Sequence, residues 1–170
     1  MDFHLLVVGS GEAEKGFTEL IHKLEIGDRV HLPGAVSDRD YLKNIYTRAS
    51  LFVFPSLYDN SPIVVKEAAA CRCPSLVIRD SNSAEGIEDD RNGFLCENDP
   101  AAIASRVQSL FTNREHLSEV GRRAQETLYV PWENIMGKVY ARYGELIAEK
   151  AGRTVSRHKL RQPAEKGDGA

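Results

Sequence analysis

Asp59 and Glu67 stand eight positions apart, with Asn60-Ser61-Pro62-Ile63-Val64-Val65-Lys66 between them. The apolar run Leu51–Phe54 stops at Pro55-Ser56 just ahead, and Glu67-Ala68-Ala69-Ala70 has helical composition. A strand therefore ends, a loop carries one carboxylate, and a helix beginning near Pro62 carries the other. Ser61 suits the N-cap, and proline is tolerated in the first turn because its missing N–H would go unpaired anyway. The N–H groups of Ile63 and Val64 then face whatever lies beyond the strand ends. A helix start of this kind favours an anion by up to ~2 kcal/mol per charge when partly buried. Glu67, about one and a half turns further in, can accept hydrogen bonds from two sugar hydroxyls at roughly 1.5–3 kcal/mol each. An anion beside a polyol is the ligand chemistry this spacing suits. It lies where open α/β sheets bind ligands, beyond the carboxyl ends of the strands.

The elements that must position these groups are legible as periodicities. His4–Val8 is a short apolar run ending at Gly9-Ser10-Gly11, as a buried parallel strand hands over to a loop. Phe17, Leu20, Ile21 and Leu24 mark one helical face, with Gly27 placed to stop it. Val30-His31-Leu32 is a second strand broken by Pro33-Gly34. Leu42, Ile45, Tyr46 and Ala49 repeat the helical spacing behind Ser37 or Asp38 as cap. Ser75–Ile78 is a further strand and Gly93–Cys96 a weak last one. Three helical faces follow, the third opened by Pro131: Ile103 to Phe111, Leu117 to Leu128, and Ile135 to Leu146. Strands alternating with helices of about ten residues predict an α/β fold, a parallel sheet flanked by helices on both faces. Residues 1–150 are expected to form this one domain, and 151–170, polar and basic, a disordered tail. A core strand with nothing before it reads as a domain cut from something longer.

With these elements in place a resemblance becomes specific. Asp59-x7-Glu67, between a Pro-Ser strand end and Glu-Ala-Ala-Ala, resembles the acidic E-x7-E motif of retaining glycosyltransferases of family 4, which have the two-domain GT-B fold. Leu6-Val7-Val8-Gly9-Ser10-Gly11-Glu12 is similar to the first strand and glycine turn of that family's C-terminal half. Val30-His31-Leu32-Pro33-Gly34-Ala35-Val36 is similar to its next strand and base-binding loop. Ser83-Ala84-Glu85-Gly86-Ile87, Asn92-Gly93-Phe94-Leu95 and Trp132-Glu133 match later segments, so the likeness covers about Phe3 to Ile147. It implies a Rossmann-like donor domain that binds a nucleoside-diphosphate sugar, for example a UDP-sugar. The reaction implied is retaining hexosyl transfer to a glycan or lipid acceptor, as in polysaccharide synthesis, with no cofactor and no essential metal. Position by position, Glu67 matches the carboxylate on the nucleotide ribose and Asp59 the acid near the donor sugar and reacting centre. Asn60 and Ser61 fall beside the sugar, and the Ile63 and Val64 amides on the diphosphate. Gly34, Ala35 and Val36 match the loop whose backbone reads the base, and Gly9 and Gly11 the glycine turn lining the cleft. Two departures stand out. Asp59 replaces the usual Glu and is shorter by one methylene, about 1.5 Å. The family's basic residues for the diphosphate, and its N-terminal acceptor domain, precede the segment that starts here. The chain alone is therefore expected to be inactive without that domain or a partner subunit. A non-catalytic nucleotide-sugar-binding remnant and a GT-B sugar-nucleotide epimerase are the rival readings.

Bulk properties narrow the field further. The 170 residues, 42% hydrophobic and 28% charged, fit one globular domain with a sizeable core. A net charge of −3 gives no reason to expect a nucleic acid partner. No apolar stretch is long enough to span a bilayer, and no charged-then-apolar leader is read at the start, so secretion is not expected. Cys71, Cys73 and Cys96 are odd in number and poorly spaced for zinc, so reduced thiols in a cytoplasmic protein are expected. Gly9-Ser10-Gly11 is followed only by Gly16, too late for a dinucleotide fingerprint, and no acid closes the second strand, which sets a nicotinamide enzyme aside. His4, His22, His31 and His116 read as structural or solvated. Glu85 falls either near the site or in solvent. Lys66 and Arg79 offer charge for phosphate, although Lys66 should point to another helix face than Glu67. The basic tail (Arg153, Arg157, Lys159, Arg161) reads as solvated, with peripheral contact to anionic lipid at the inner membrane face as the alternative.

Overall fold

A computed structural model describes residues 3–59 and 63–159, with residues 152–159 as backbone alone. The order is β1 (Leu5–Val8), α1 (Glu14–Lys23), β2 (Val30–Gly34), α2 (Arg39–Arg48), β3 (Phe52–Phe54), α3 (Ile63–Ala70) and β4 (Ser75–Ile78). A 3-10 turn at Asn82–Ala84, β5 (Phe94–Cys96), α4 (Pro100–Leu110), α5 (Arg114–Thr127) and α6 (Trp132–Lys159) complete it. Contacts divide the chain after Tyr129, the first unit holding the five strands and the second containing α6. The division falls just before Pro131, where the sequence opens its last helical face.

β4 is the centre of the first unit. All four of its residues are buried, and it pairs in parallel with β3 on one side and β5 on the other, Leu76 lying opposite both Val53 and Phe94. Its side chains alternate between the two faces, as strand geometry requires. Leu76 and Ile78 pack with Phe94, Cys96, Leu110, Leu117 and Val120, so α4 and α5 cover one face. Val77 packs with Val65 and Ile87 on the other. Burying a Leu or Val fully contributes roughly 1.5–3 kcal/mol, so this strand is a substantial local source of stability. Helices on both faces of parallel strands are the expected α/β architecture.

The strands form two sheets, however, where the alternation predicts one. β1 pairs in parallel with β2, Leu5 opposite Val30 and Val8 opposite Gly34, while β3, β4 and β5 make the second sheet. Among the described residues no strand occupies the second edge of β1 or of β3. β1 consequently leaves Leu5, Leu6 and Val8 exposed at 44%, 38% and 37%, values unlike a buried parallel strand.

Helix ends show what the local sequence does. Asp38 caps α2, its Oδ1 accepting from the N–H groups of Asp40 and Tyr41 at 2.9 and 3.0 Å. Asp99 and Asn113 cap α4 and α5 in the same way. α1 does not run to Gly27. Glu25 takes the left-handed conformation (φ 53°), and the Ile26 N–H bonds back to the Ile21 carbonyl, closing the helix two residues early. α3 ends in the same motif, with Arg72 at φ 59° and the Cys73 N–H bonded to the Ala68 carbonyl. α6 continues through Lys159, so residues 151–159, expected within a disordered tail, are helical. The absence of proline between Pro131 and Pro163 leaves nothing to interrupt that helix. Among the described residues no helix is long and apolar enough to cross a membrane.

Gly121 lets α5 lie against the turn that ends α3. A Cβ there would sit 2.1 Å from the Arg72 carbonyl oxygen. The same contact is held by Gln125, whose amide donates to the Ala70 carbonyl at 2.7 Å and accepts from Arg72 Nε at 2.8 Å. Gly121→Ala is therefore expected to cost at least about 1–3 kcal/mol through overpacking. Gly16→Ala, in α1 with nothing within 4 Å, should gain about 0.5–1 kcal/mol. Urea midpoints check the pair, and an unchanged midpoint for Gly121→Ala would mean that α5 does not approach the turn so closely. The three cysteines are free. Burial, and after it the charge of Cys71, pushes the Cys73 thiol up to about 12. At pH 8 in the native protein, alkylation should therefore reach half-buried Cys71 well before Cys73. Peptide mass mapping giving equal rates would contradict this burial.

Candidate functional site

In a parallel sheet with helical crossovers, strand carboxyl ends and helix amino ends gather at one edge. At that edge β1 passes into Gly9 and β2 ends at Gly34, with φ of 144° and 75°. Side chains other than glycine rarely adopt either angle. The Gly9 N–H donates to the Gly34 carbonyl at 2.9 Å, which joins the glycine turn to the loop of Gly34, Ala35 and Val36. Nothing lies within 4 Å of where a Cβ would stand on Gly9, Gly11 or Gly34. Backbone conformation, not crowding, is therefore what calls for glycine at Gly9 and Gly34.

The loop continues into Asp38, whose cap makes Arg39 the first residue of α2. From there Arg39 Nη1 reaches across to α3 and donates to Glu67 Oε1 at 2.7 Å. The Glu67 side chain is 24% exposed and that of Arg39 80%. An ion pair with so exposed a partner adds little stability, about 0–1 kcal/mol, so its interest lies in geometry. Tyr46 is buried against Ala68 and Cys73 at the seam of α2 and α3. Burial first, and then the charge of Glu67, pushes its phenol up to about 12. Glu67 thus sits at that seam, near a buried phenol, with α2 reaching over to it through Arg39.

The other predicted residues divide. Asp59 is exposed in the loop after β3, and α3 opens at Ile63, also exposed, followed by half-buried Val64. Asn60 and Ser61 lie outside the described residues, and with them the expected cap. The loop is anchored from below by Ser83, a buried residue whose hydroxyl donates to the Ser56 carbonyl at 3.5 Å. Glu85 is exposed at the end of the 3-10 turn. Lys66 is exposed on a different face of α3 from Glu67. Arg79, which could offer charge to a phosphate, is paired with Asp89 and Glu97, each at 3.2 Å. His116 is structural, within 3.2 Å of Asp90, whose carboxyl is held below the usual range chiefly by its hydrogen bond from Arg106. Sequence reasoning missed Arg39 and Tyr46. Neither belongs to a motif, and the only local signal was the position of Arg39 directly behind a capping Asp at a strand's carboxyl end.

Fold comparison puts this arrangement in the GT-B class of glycosyltransferases. The chain superimposes on sucrose-phosphate synthase from Thermosynechococcus elongatus with a TM-score of 0.76 and 27% identity, covering 86% of this chain and 39% of that one. It shares its fold with Anabaena HepE in complex with UDP-glucose (TM-score 0.62, 21% identity, 72% of this chain and 35% of that one). Residues 1–127 match the family model of glycosyl transferases group 1, and the chain belongs to that family. Among curated relatives it is 29% identical over 130 residues to the N-acetyl-alpha-D-glucosaminyl L-malate synthase of Bacillus anthracis, covering 76% of this chain and 33% of that protein. It is 32% identical over 120 residues to D-inositol 3-phosphate glycosyltransferase 2 of Catenulispora acidiphila, covering 69% and 28%. The chain thus spans about a third of the length of these relatives.

Proposed function

We propose that this chain is the donor-binding half of a retaining hexosyltransferase, and that it grips a nucleoside-diphosphate sugar between α2, α3 and the glycine turns. The observation that carries the reading is the place of Glu67, partly exposed at the α2–α3 seam and reached from the end of the Gly34–Val36 loop by Arg39. The Glu67 carboxylate accepts the pentose hydroxyls. The backbone of Gly34, Ala35 and Val36 reads the base, and the Gly9 and Gly11 turn lines the cleft. The opening amides of α3, at Ile63 and Val64, meet the diphosphate. As the glycosidic bond breaks, negative charge grows on that diphosphate, and oriented N–H groups are where such charge is best stabilised. Asp59 lies beside the donor sugar. The nucleotide sugar is a co-substrate, so the reading requires no resident cofactor. Turnover requires a second domain or subunit that brings a glycan or lipid acceptor and further cationic groups for the diphosphate.

Calorimetry with UDP and GDP tests the reading on folded protein. Binding of one of them is expected, with at least a tenfold loss in Glu67→Ala, equivalent to about 1.4 kcal/mol. Absence of binding to either at millimolar concentration would overturn it, and unchanged affinity in Glu67→Ala would remove that residue's role. Asp59→Asn should weaken the glucose-bearing nucleotide at least threefold more than the bare diphosphate. Equal weakening of both would detach Asp59 from the sugar.

A further inference from the structure

Resting on that reading of Glu67 as the pentose acceptor, we infer that Arg39 is the positioning residue that fixes the Glu67 carboxylate for the nucleotide's diol. Three observations converge on it. Arg39 stands in the first turn of α2, which the Asp38 carboxylate caps by accepting from the Asp40 and Tyr41 N–H groups at 2.9 and 3.0 Å. Its side chain crosses from one helix to another to meet Glu67 Oε1 at 2.7 Å, a length typical of a charge-assisted bond. The pair joins the loop that leaves β2 to the acid of α3, segments 28 residues apart in sequence.

A glutamate side chain has three rotatable bonds, and a carboxylate that must meet two adjacent hydroxyls loses that freedom on binding. Holding one oxygen beforehand shifts the loss to folding, so that less affinity is forfeited when the ligand arrives. Arginine suits this task better than lysine, since its rigid fan of N–H donors fixes direction as well as charge. The groups facing the carboxylate are consistent with the role. Tyr46, buried at the same seam, is a phenol and neutral at physiological pH, so it adds no competing negative charge. Lys66, the neighbouring cation in sequence, is on another face of α3. The 80% exposure of Arg39 means that trimming it removes little packing, so its effect is separable from folding.

The test compares the ribonucleoside diphosphate (UDP, or GDP if that base is preferred) with its 2′,3′-dideoxy analogue, by calorimetry on the same folded protein. Wild type should prefer the ribonucleotide at least tenfold. Arg39→Ala should shrink that preference at least threefold while leaving the affinity for the dideoxy analogue within a factor of two. Arg39→Lys should restore part of the preference, and Arg39→Ala should have no further effect on it in a Glu67→Ala background. An unaltered preference in Arg39→Ala overturns the inference. So does equal weakening of both ligands, which would mark general attraction to phosphate, and so does tighter ribonucleotide binding, which would mark Arg39 as a competitor for Glu67. A wild type that binds both ligands without preference, or neither, defeats the underlying reading of Glu67 instead, and the inference with it.

Discussion

Every recorded strand pairing in this protein is parallel, and the rest of the arrangement follows from that constraint. Parallel neighbours must be joined by crossovers: through α1 between β1 and β2, through α3 between β3 and β4, and through a 3-10 turn and loop between β4 and β5. Strand carboxyl ends and the amino ends of α1 and α3 therefore come to the same side of their sheets. Glycine turns, capped helix starts and the acid of α3 are brought to that side by connectivity. β4 supports the arrangement by being buried along its whole length, with different helices on each face. A change that loosened β4 would displace α3, and Glu67 with it, without touching a single site residue.

The packing behind the site is less forgiving than its rim. α5 meets the end of α3 through Gly121, with backbone where a side chain would otherwise be, and Gln125 satisfies both an exposed carbonyl of the helix end and the Arg72 side chain. Arg72 itself occupies a left-handed conformation that glycine would take more readily. The rim, by contrast, is built from glycine turns and long charged side chains that reach across open space. Rigid support beneath and adjustable groups above is the division that a binding edge on an α/β sheet calls for.

Much of this was legible in the residues. Ser75–Ile78 stands out as a buried strand because Leu76, Val77 and Ile78 run without a break after Pro74-Ser75, and α2 announces its start through Asp38. The spacing of Asp59 and Glu67 across a strand–loop–helix junction was visible too, as was the family it indicates. What escaped was decided by tertiary contact or by competing local choices. Gly27 is the obvious helix stop, yet Glu25 adopts the left-handed angle first, because the closing bonds to Ile21 and His22 can form there. The continuation of α6 past residue 150 was masked by polar composition, which speaks against burial but not against helix. The bond between Gly9 and Gly34 and the pair of Arg39 with Glu67 join residues 25 and 28 positions apart, and no periodicity encodes such a meeting.

The free edges of β1 and β3 carry a consequence for how the molecule behaves in solution. Each offers backbone donors and acceptors that no described strand satisfies, and beside one of them the leucines of β1 are wet. Ladders left open in this way are templates for another chain's strand, and proteins usually blunt them with lysine, proline or a bulge. β2 has such a proline in Pro33, and the β1 ladder shifts register between Leu6 and Val8, although Leu5-Leu6-Val7-Val8 carries no charge. Leu5, Leu6 and Val8 therefore stand wet beside an unpaired ladder, the combination that pairing with a further strand would bury.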